Sequence, residues 1–538
     1  MRIFYPGVGP AGSPELRLDQ LEAIYRTHRE ITEPGLSKNV LVGAGMGSGK
    51  TVVSVEVILK SRPKRVLIVG VRDAYSQWAA TLKEQQTGPE KDKLKLHRII
   101  STTQIGRDNL AKLVDGEDGL YYVGMEMLRA QDWETVSETS PVHPDIKAAL
   151  GDAVGDFTIP EKRAKQSHTF ASMRTVDLLI SDEAHRHSNQ KAKALKTIET
   201  IPALAKIALS GTFFGNKFEN AWALTLWLWT KKIIGAKGVF EAKWCVKVPV
   251  MSKDGMRQIR TPGRFPVSKI MGEREPGEFV KTLPCYVFIA TPIGPVPAPE
   301  IVKVELGPEQ ARQYREMEHQ SLTWIPTASG VKREPLVADL PITQRQRLRT
   351  AALAAMTLIP GADEESSDSI TFAVNCKSTT LDAAYKVLHR PSWVGKKVLI
   401  LTHSKPFAEE VARRIGQKYR VGLKTGGVSS AHWDIDKASF MRPVSETDSV
   451  QYLVAVISAV GTAMDGLQAN CAKVLWLSED ENNTNNMQGA NRIWRDGVDL
   501  DEYEAVKLVQ TGTIAEGVLV KNRAHKRGVL GSIEGPAS

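Results

Sequence analysis

A short apolar run that empties into glycines constrains this chain more than any other feature. Residues 39–42 predict a buried strand, and Gly43-Ala-Gly-Met-Gly-Ser-Gly-Lys-Thr51 follows it directly. Glycines let backbone N–H groups close around a polyphosphate, a lysine reaches the terminal phosphates, and a threonine hydroxyl at the start of the next helix suits Mg²⁺. An ordinary glycine-rich turn is the alternative interpretation. The order strand, glycines, Lys-Thr and helix favours a phosphate-binding loop.

The predicted nucleotide contacts lie in this loop and in a helical pattern just upstream of it. Lys50 is assigned to the terminal phosphates and Thr51 to the metal. Upstream, the Gln20 amide is placed to read adenine, although a capping or surface glutamine is the alternative. Ala44 stands where the strict motif has glycine, a start that is usual in nucleic-acid motors. The residues predicted to bind nucleotide are Gln20, Gly45, Met46, Gly47, Ser48, Gly49, Lys50 and Thr51.

A second apolar run, residues 176–181, predicts a strand that ends in two carboxylates. Asp182 is predicted to hold Mg²⁺, because carboxylate oxygens suit that cation. Glu183 beside it is predicted to accept a proton from the attacking water. A lone Asp-Glu pair is ordinarily solvated surface. At a strand end downstream of a phosphate loop, the pair predicts the second half of an ATP·Mg²⁺ site.

Two arginines near the end of the chain complete the predicted site. Arg492 and Arg495 are three residues apart and are predicted to share one helix face with Gln488, which lies one turn earlier. Two guanidinium forks on one face suit a phosphate across a cleft, although arginine pairs more often form surface ion pairs. The predicted catalytic group is Glu183, Lys50, Arg492, Arg495 and Gln488.

Alternating strands and helices predict an α/β protein with two parallel-sheet domains. The first domain is placed at residues 1–230, an irregular basic subdomain and Pro-rich linker at 231–299, and a second domain without its own phosphate loop at 300–538. A polar, irregular stretch at about 135–169 predicts a surface insertion. An aromatic-rich helix at 221–229 favours core packing over a base-stacking platform.

Composition limits the partners and the compartment. The 538 residues include 71 Lys plus Arg and 61 Asp plus Glu, and the resulting net charge of +10 favours a polyanionic partner without requiring one. No apolar run approaches the roughly 18 residues needed to span a bilayer, and the N-terminus lacks a signal-like core, so we expect a cytoplasmic protein without a membrane partner. The four cysteines lie far apart, which predicts reduced core residues rather than zinc ligands or disulfides.

Together these stretches resemble a superfamily-two nucleic-acid motor, in particular the Swi/Snf class of double-strand DNA translocases. The chain carries no recognisable accessory module, and in this it is similar to compact bacterial and phage forms. The matching stretches are an adenine-side motif at 16–20, motif I at 44–51, motif II at 182–185, motif III at 209–212 with Asn216, second-lobe stretches at 304–314 and 398–415, motif VI at 488–497 and a last stretch at 512–516.

Three departures from the class pattern stand outside the phosphate chemistry. Phe213 replaces the proline that usually follows Gly-Thr in motif III, and Asn491 replaces an aspartate common in motif VI. Motif V at 458–468 keeps its Gly-Leu step but lacks the usual glycine run.

The resemblance implies two RecA-like lobes flanking an ATP cleft, with Mg²⁺ as the metal and duplex DNA across both lobes. The phosphate loop and both carboxylates come from the first lobe and both arginines from the second, so that hydrolysis opens and closes the cleft and moves the protein along DNA. A strand-separating helicase is the nearer alternative, but it needs a wedge element that the sequence does not reveal. A nucleotide-gated DNA-binding scaffold is the other, and the intact Glu183 and both arginines argue against it.

Overall fold

The structure is a computed structural model that describes most of the chain. The described residues are 16–45, 47–86, 94–100, 103–129, 132–140, 157–165, 170, 173–187, 193–211, 218–251, 257–260, 266–290, 293–294, 296–327, 332–338, 340–359, 369–372, 376–428, 430–460 and 466–523.

The strands are β1 (Asn39–Ala44), β2 (Arg65–Gly70), β3 (Leu96–Ile99), β4 (Gly119–Gly124), β5 (Asp132–Ser140), β6 (Phe157–Lys165), β7 (Val176–Ser181), β8 (Ala203–Ser210), β9 (Cys245–Pro249), β10 (Ser268–Glu273), β11 (Tyr286–Ile289), β12 (Glu300–Val304), β13 (Leu322–Pro326), β14 (Arg333–Val337), β15 (Thr357–Ile359), β16 (Ser369–Thr371), β17 (Val398–Thr402), β18 (Val421–Lys424), β19 (Tyr452–Val456), β20 (Lys473–Trp476) and β21 (Glu504–Gln510).

The α-helices are α1 (Leu18–Thr32), α2 (Lys50–Ser61), α3 (Tyr75–Gln85), α4 (Gln104–Asp115), α5 (Lys193–Thr200), α6 (Asn220–Leu228), α7 (Lys231–Ile234), α8 (Lys237–Trp244), α9 (Glu278–Lys281), α10 (Pro308–Gln320), α11 (Pro341–Ala351), α12 (Thr379–Leu388), α13 (Lys405–Ile415), α14 (Ser430–Phe440) and α15 (Asn483–Ala490).

The first lobe is built on a seven-stranded parallel sheet in the order β11-β1-β8-β7-β2-β4-β3. Alternate residues of its strands enter two separate cores: Leu41 packs in one, and Val40 and Val42 in the other. The sheet is therefore buried on both faces, which explains why its strands read as nearly continuous apolar runs. The carboxyl ends of β1, β8 and β7 lie side by side, and ligands of open α/β sheets bind at that edge.

The second lobe is built on a six-stranded parallel sheet in the order β12-β21-β20-β17-β19-β18. Its central strand β17 is fully buried, with Val398 and Ile400 in one core and Leu399 and Leu401 in the other. Two parallel sheets covered by helices confirm the predicted α/β fold class with two RecA-like lobes.

One predicted boundary needs correction. Strand β11, at residues 286–289, lies within the stretch assigned to a subdomain and linker, yet it pairs in parallel with β1 in the first sheet. Residues 231–285 therefore lie between two elements of the first lobe, α6 and β11, and Phe240 and Phe279 of this range pack into the first core. The linker to the second lobe follows β11. Four strand residues behind an irregular segment carry too weak a local signal to reveal a partner so distant in sequence.

The stretch at about 135–169 also differs from its prediction. The backbone of β5 and β6 forms an antiparallel ladder in place of an irregular insertion. Residues 141–156 and 166–169, like the acidic loop at 363–368, lie outside the described residues.

The remaining core predictions are confirmed. Helix α6 packs its aromatic residues into the first core, where Trp222 and Trp227 are buried, and Trp229 follows them. All four cysteines, Cys245, Cys285, Cys376 and Cys471, are buried and free.

Within the described ranges, no helix combines the length and apolar character needed to cross a membrane.

Candidate nucleotide-binding cleft

The loop between β1 and α2 has the backbone shape of a phosphate cradle. Gly47 and Gly49 adopt φ values of 77° and 87°, in the left-handed region that glycine tolerates. A Cβ on Gly49 would lie 2.2 Å from the Gln20 side-chain nitrogen and would displace it, and the positive φ of Gly49 strains any other residue there. Gly49 also caps α2, which begins at Lys50 and directs its first N–H groups toward the cleft. Met46 lies outside the described residues.

Gln20 holds this loop in place. Its Nε2 donates to the Ser48 carbonyl at 2.9 Å, while its Oε1 accepts from the Arg17 backbone N–H at 3.0 Å. Gln20 is 7% exposed, so these bonds are shielded from water. The structure thus places Gln20 beside the phosphate loop, in a capping arrangement with Arg17, and its predicted contact with adenine stays a prediction.

The end of β11 supports the same loop from the other side. Gly45 donates its backbone N–H to the Ile289 carbonyl at 3.2 Å. The Arg17 guanidinium joins the two segments, because its Nη2 donates to the Ser48 and Ala290 carbonyls, each at 3.0 Å. The strand that re-enters from the inserted subdomain is therefore tied to the phosphate loop.

Asp182 and Lys50 meet because β1 and β7 end at the same edge of the sheet. Asp182 is 3% exposed, and its Oδ1 lies 3.2 Å from Lys50 Nζ. Its other oxygen, Oδ2, accepts from the indole Nε1 of Trp78 at 2.9 Å. Trp78, itself 1% exposed, fixes the orientation of this carboxylate. Sequence reasoning missed Trp78, which lies in the helix-opening stretch after β2 and has no motif signal of its own.

Glu183 is held in an unusual backbone conformation beside a cation. Its φ of 50° lies in the left-handed region, which costs a non-glycine residue on the order of 1–3 kcal/mol and persists only where surroundings enforce it. Its carboxylate accepts a hydrogen bond from Lys50. Burial alone would raise the pKa of Glu183, but Lys50 and then His185 outweigh burial and lower it to about 2. Burial lowers the pKa of Lys50, but the Asp182 and Glu183 carboxylates raise it by more, so the pKa of Lys50 is raised overall.

His185 connects the Glu183 carboxylate to the end of β8. Its Nδ1 lies 3.0 Å from Ser210 Oγ and 3.3 Å from Glu183 Oε2. Burial lowers the pKa of His185 to about 4, despite the opposing effect of Glu183. Motif II and motif III therefore touch through this pair, although Thr212, Phe213 and Asn216 lie outside the described residues.

Arg492 and Arg495 of the second lobe line the same cleft as Lys50, Asp182 and Glu183. The lobes approach closely there, since a Cβ placed on Gly47 would lie 3.3 Å from Arg495 Cγ. The structure thus places both arginines at the cleft that the phosphate loop lines, and their role toward the nucleotide stays a prediction.

The prediction that these two arginines share one helix face is wrong. Helix α15 ends at Ala490, and both arginines lie in the turns that follow. The chain leaves the helical path because Ile493 is fully buried in the second core and the Trp494 indole donates to the Gly294 carbonyl of the linker at 3.0 Å. Gln488 stays within α15, 3% exposed, and is not among the described residues that line the cleft.

The side chains present fit a magnesium ion bound together with phosphates. Thr51 and Asp182 supply hard oxygen ligands in one cleft. Within the described ranges, no group of three or more His, Cys, Asp or Glu could hold a metal by itself. Mg²⁺ commonly uses one or two carboxylates plus substrate phosphates, so this sparse ligand set matches that cation.

Fold and cleft together define the class as an α/β protein with two RecA-like lobes that meet at a phosphate-loop edge. Residues 13–215 match the family model described as "Type III restriction enzyme, res subunit". The matched range contains the phosphate loop and the Asp182-Glu183 pair of the first lobe.

Solved structures similar to this chain include two from Sulfolobus solfataricus. One, titled as the SWI2/SNF2 ATPase core in complex with dsDNA, is 16% identical over 98% of this chain and 96% of that chain, with a TM-score of 0.38. The other, titled as the SWI2/SNF2 ATPase core domain, is 15% identical over 99% of this chain and 93% of that chain, with a TM-score of 0.36. No curated protein matches the chain.

Proposed function

We propose that this protein hydrolyses ATP to translocate on, or remodel, double-stranded DNA. The observation that carries the proposal is a single cleft in which Lys50, Asp182 and Glu183 of one lobe face Arg492 and Arg495 of the other. A scaffold that only binds nucleotide needs the lysine, but it needs neither the second carboxylate nor the opposing arginines. Duplex DNA as the partner rests on the motif resemblance and on the net charge of +10.

Lys50 couples substrate binding to activation of the base. Its Nζ lies against both Asp182 and Glu183, so phosphate oxygens compete with these carboxylates for the same N–H donors. When Lys50 turns to phosphate, Glu183 loses its main opposing charge and its carboxylate becomes more basic. Glu183 can then accept a proton from the attacking water.

Thr51 and Asp182 are the residues we assign to Mg²⁺. Bound magnesium neutralises phosphate charge and helps to orient the phosphates. Trp78 keeps one Asp182 oxygen engaged, which leaves the other directed at Lys50 and the cleft. The Asp182 carboxylate is therefore already oriented for the metal ion, and no free energy is spent on reorienting it when the ion binds.

The two arginines supply positive charge from outside the phosphate loop. Charge that develops on the transferred phosphoryl group needs cations beyond those of one lobe. Arg492 and Arg495 reach the cleft only because the lobes meet there. DNA that favours the closed arrangement of the lobes should therefore stimulate hydrolysis.

A steady-state ATPase assay with and without duplex DNA tests the proposal. We expect DNA to stimulate turnover, Lys50→Ala to weaken nucleotide binding, and Glu183→Gln to retain binding while losing turnover, because the lysine contacts ground-state phosphates and the glutamate acts on water. Retained DNA-stimulated turnover in Glu183→Gln would refute the assignment of the base. Absence of turnover in the unaltered protein, with nucleotide-dependent DNA binding intact, would indicate the scaffold.

A forked duplex and a triplex substrate separate translocation from strand separation. We expect ATP-driven displacement of the third strand without unwinding of the ordinary duplex. Robust separation of the forked duplex by this chain alone would favour the helicase alternative.

A further inference from the structure

Most of the net charge of the chain is concentrated in the inserted subdomain, residues 231–285, which we call the basic insert. It contains twelve Lys or Arg against five Asp or Glu, a net charge of +7 compared with +10 for the whole chain. A charge excess confined to about a tenth of a protein is the electrostatic footprint of a polyanion-binding surface rather than general solvation.

Two of these cations, Lys247 and Lys269, lie on a projecting hairpin, where Lys247 is paired with Glu241 at 2.8 Å. Strands β9 and β10 pair antiparallel, and the ladder is buried only at its root, where Cys245 is paired with Glu273. Beyond the root, Val246, Val248 and Met271 are 38%, 45% and 61% exposed. No core of the described residues covers these side chains, so the hairpin stands out from the first lobe as an arm.

A cleft of about 340 Å³ lies at the root of this arm. Its cationic lining is Lys243, Arg274 and Lys281, which stand around Trp244. Two carboxylates, Glu275 and Glu278, also line it, and Glu278 is paired with Lys281 at 2.7 Å. With three cations and two carboxylates, the lining of the cleft keeps a net charge of +1.

The aromatic ring in this cleft is already covered. Lys243 Nζ lies 4.4 Å from the centroid of the Trp244 ring, and this ring makes an edge-to-face contact with Phe279 at 5.7 Å between centroids. Binding of unpaired bases uses open aromatic faces. A covered ring among cations instead suits the sugar-phosphate backbone of a duplex.

Packed aromatic rings fix the basic insert to the first lobe. Phe279 contacts Phe240 at 5.1 Å and Phe218 at 5.9 Å, between ring centroids. Phe218 lies just before α6, on the chain segment that follows β8 and its Ser210. Phe218, Phe240 and Phe279 all belong to the first core, so the root of the arm is packed into the first lobe.

From these observations we infer that the basic insert is a binding surface for duplex DNA, which contacts the phosphate backbone through the root cleft and the arm. The inference rests on the proposed function for the identity of the polyanion. It adds a contact that lies outside the paired sheets of the two lobes.

The test replaces one lysine of the root cleft and one of the arm. Lys243→Glu/Lys269→Glu changes two exposed residues. The matched control, Lys64→Glu/Lys418→Glu, changes the net charge equally at exposed positions that precede β2 and β18, at the sheet edges opposite the cleft. Melting temperatures of both variants establish that each is folded.

Fluorescence anisotropy with a labelled duplex, measured across a salt series, gives the affinity directly. Each phosphate contact contributes about 0.9 to the slope of log affinity against log salt, so loss of two contacts should weaken duplex binding by on the order of tenfold or more near 0.15 M salt and flatten the slope by about 2. ATP turnover without DNA should stay at the level of the unaltered protein in both variants.

The outcomes distinguish this inference from the proposed function. Equal duplex affinity in the arm variant and the control variant overturns the inference, whether or not DNA stimulates turnover. Selective loss of single-strand binding overturns the assignment to duplex. Weakened duplex binding in the arm variant alone supports the inference, and if the unaltered protein then shows no turnover, it is the motor function that fails.

Discussion

Replacing Trp78 with phenylalanine tests whether the metal carboxylate must be held in a fixed orientation. Trp78→Phe keeps an aromatic ring in the core but removes the N–H that donates to Asp182 Oδ2 at 2.9 Å. A hydrogen bond to a charged acceptor contributes about 1.5–3 kcal/mol, and loss of a partner that orients a metal ligand commonly costs about 10–100-fold in metal affinity or activity. Both groups are buried, at 1% and 3% exposure, so water replaces the lost donor poorly.

The assay is ATP turnover as a function of Mg²⁺ concentration. We expect the half-saturating Mg²⁺ concentration to rise by about 10–100-fold in Trp78→Phe, with much of the rate recovered at high Mg²⁺. A purely structural role would lower stability and leave this concentration unchanged.

Trp393 offers a matched control. It is also buried, and its indole Nε1 donates to a carboxylate, Glu504 Oε2, at 2.7 Å in the second lobe. Trp393→Phe should therefore lower the melting temperature without changing the Mg²⁺ dependence. The same Mg²⁺ dependence in Trp78→Phe and in the unaltered protein would refute the reasoning.

Two further predictions concern the second lobe. Arg495→Ala should lower the DNA-stimulated rate of ATP hydrolysis by about a hundredfold or more, with much less effect on ATP affinity. Arg495→Lys should restore little of that rate, because an ammonium lacks the planar fork of a guanidinium. A variant with a reduced melting temperature whose folded fraction hydrolyses ATP normally would show that the arginine has a structural role. Burial lowers the pKa of Lys397 from 10.5 to about 8, so the unfolded chain binds more protons between these values and stability should rise with pH from about 8 to 10.5. Thermal unfolding of Lys397→Met across that range should show a smaller rise, and an equal rise would contradict this assignment.

The parts of the fold and site that the sequence predicts are those whose signals are local. The phosphate loop is read from a strand, its glycines and Lys50 within a dozen positions, and the carboxylate pair from an apolar run ending at Asp182. These patterns reflect backbone and side-chain requirements that each segment meets by itself.

The parts that could not be predicted depend on contacts between distant segments. Trp78 reaches Asp182 across 104 positions, and nothing in its own neighbourhood indicates that partner. Helical spacing placed Arg492 and Arg495 on one face, but burial of Ile493 draws the chain into turns instead. Gln20 shows the same limit, since its two bonds belong to a loop that folding brings against α1.

The linker between the lobes sets an upper limit on how far the cleft can open. Its start is held at Ala290 by Arg17 of the first lobe, and Trp494 of the second lobe holds it at Gly294, only four residues later. An extended chain spans at most about 3.6 Å per residue, so these two anchor points cannot separate by more than about 14 Å. While both hydrogen bonds are intact, the arginines on either side of Trp494 therefore stay close to the phosphate loop. A wider separation of the lobes must first break one of these two contacts, so the Arg17 guanidinium and the Trp494 indole together limit how far the arginines can move away from the phosphate loop.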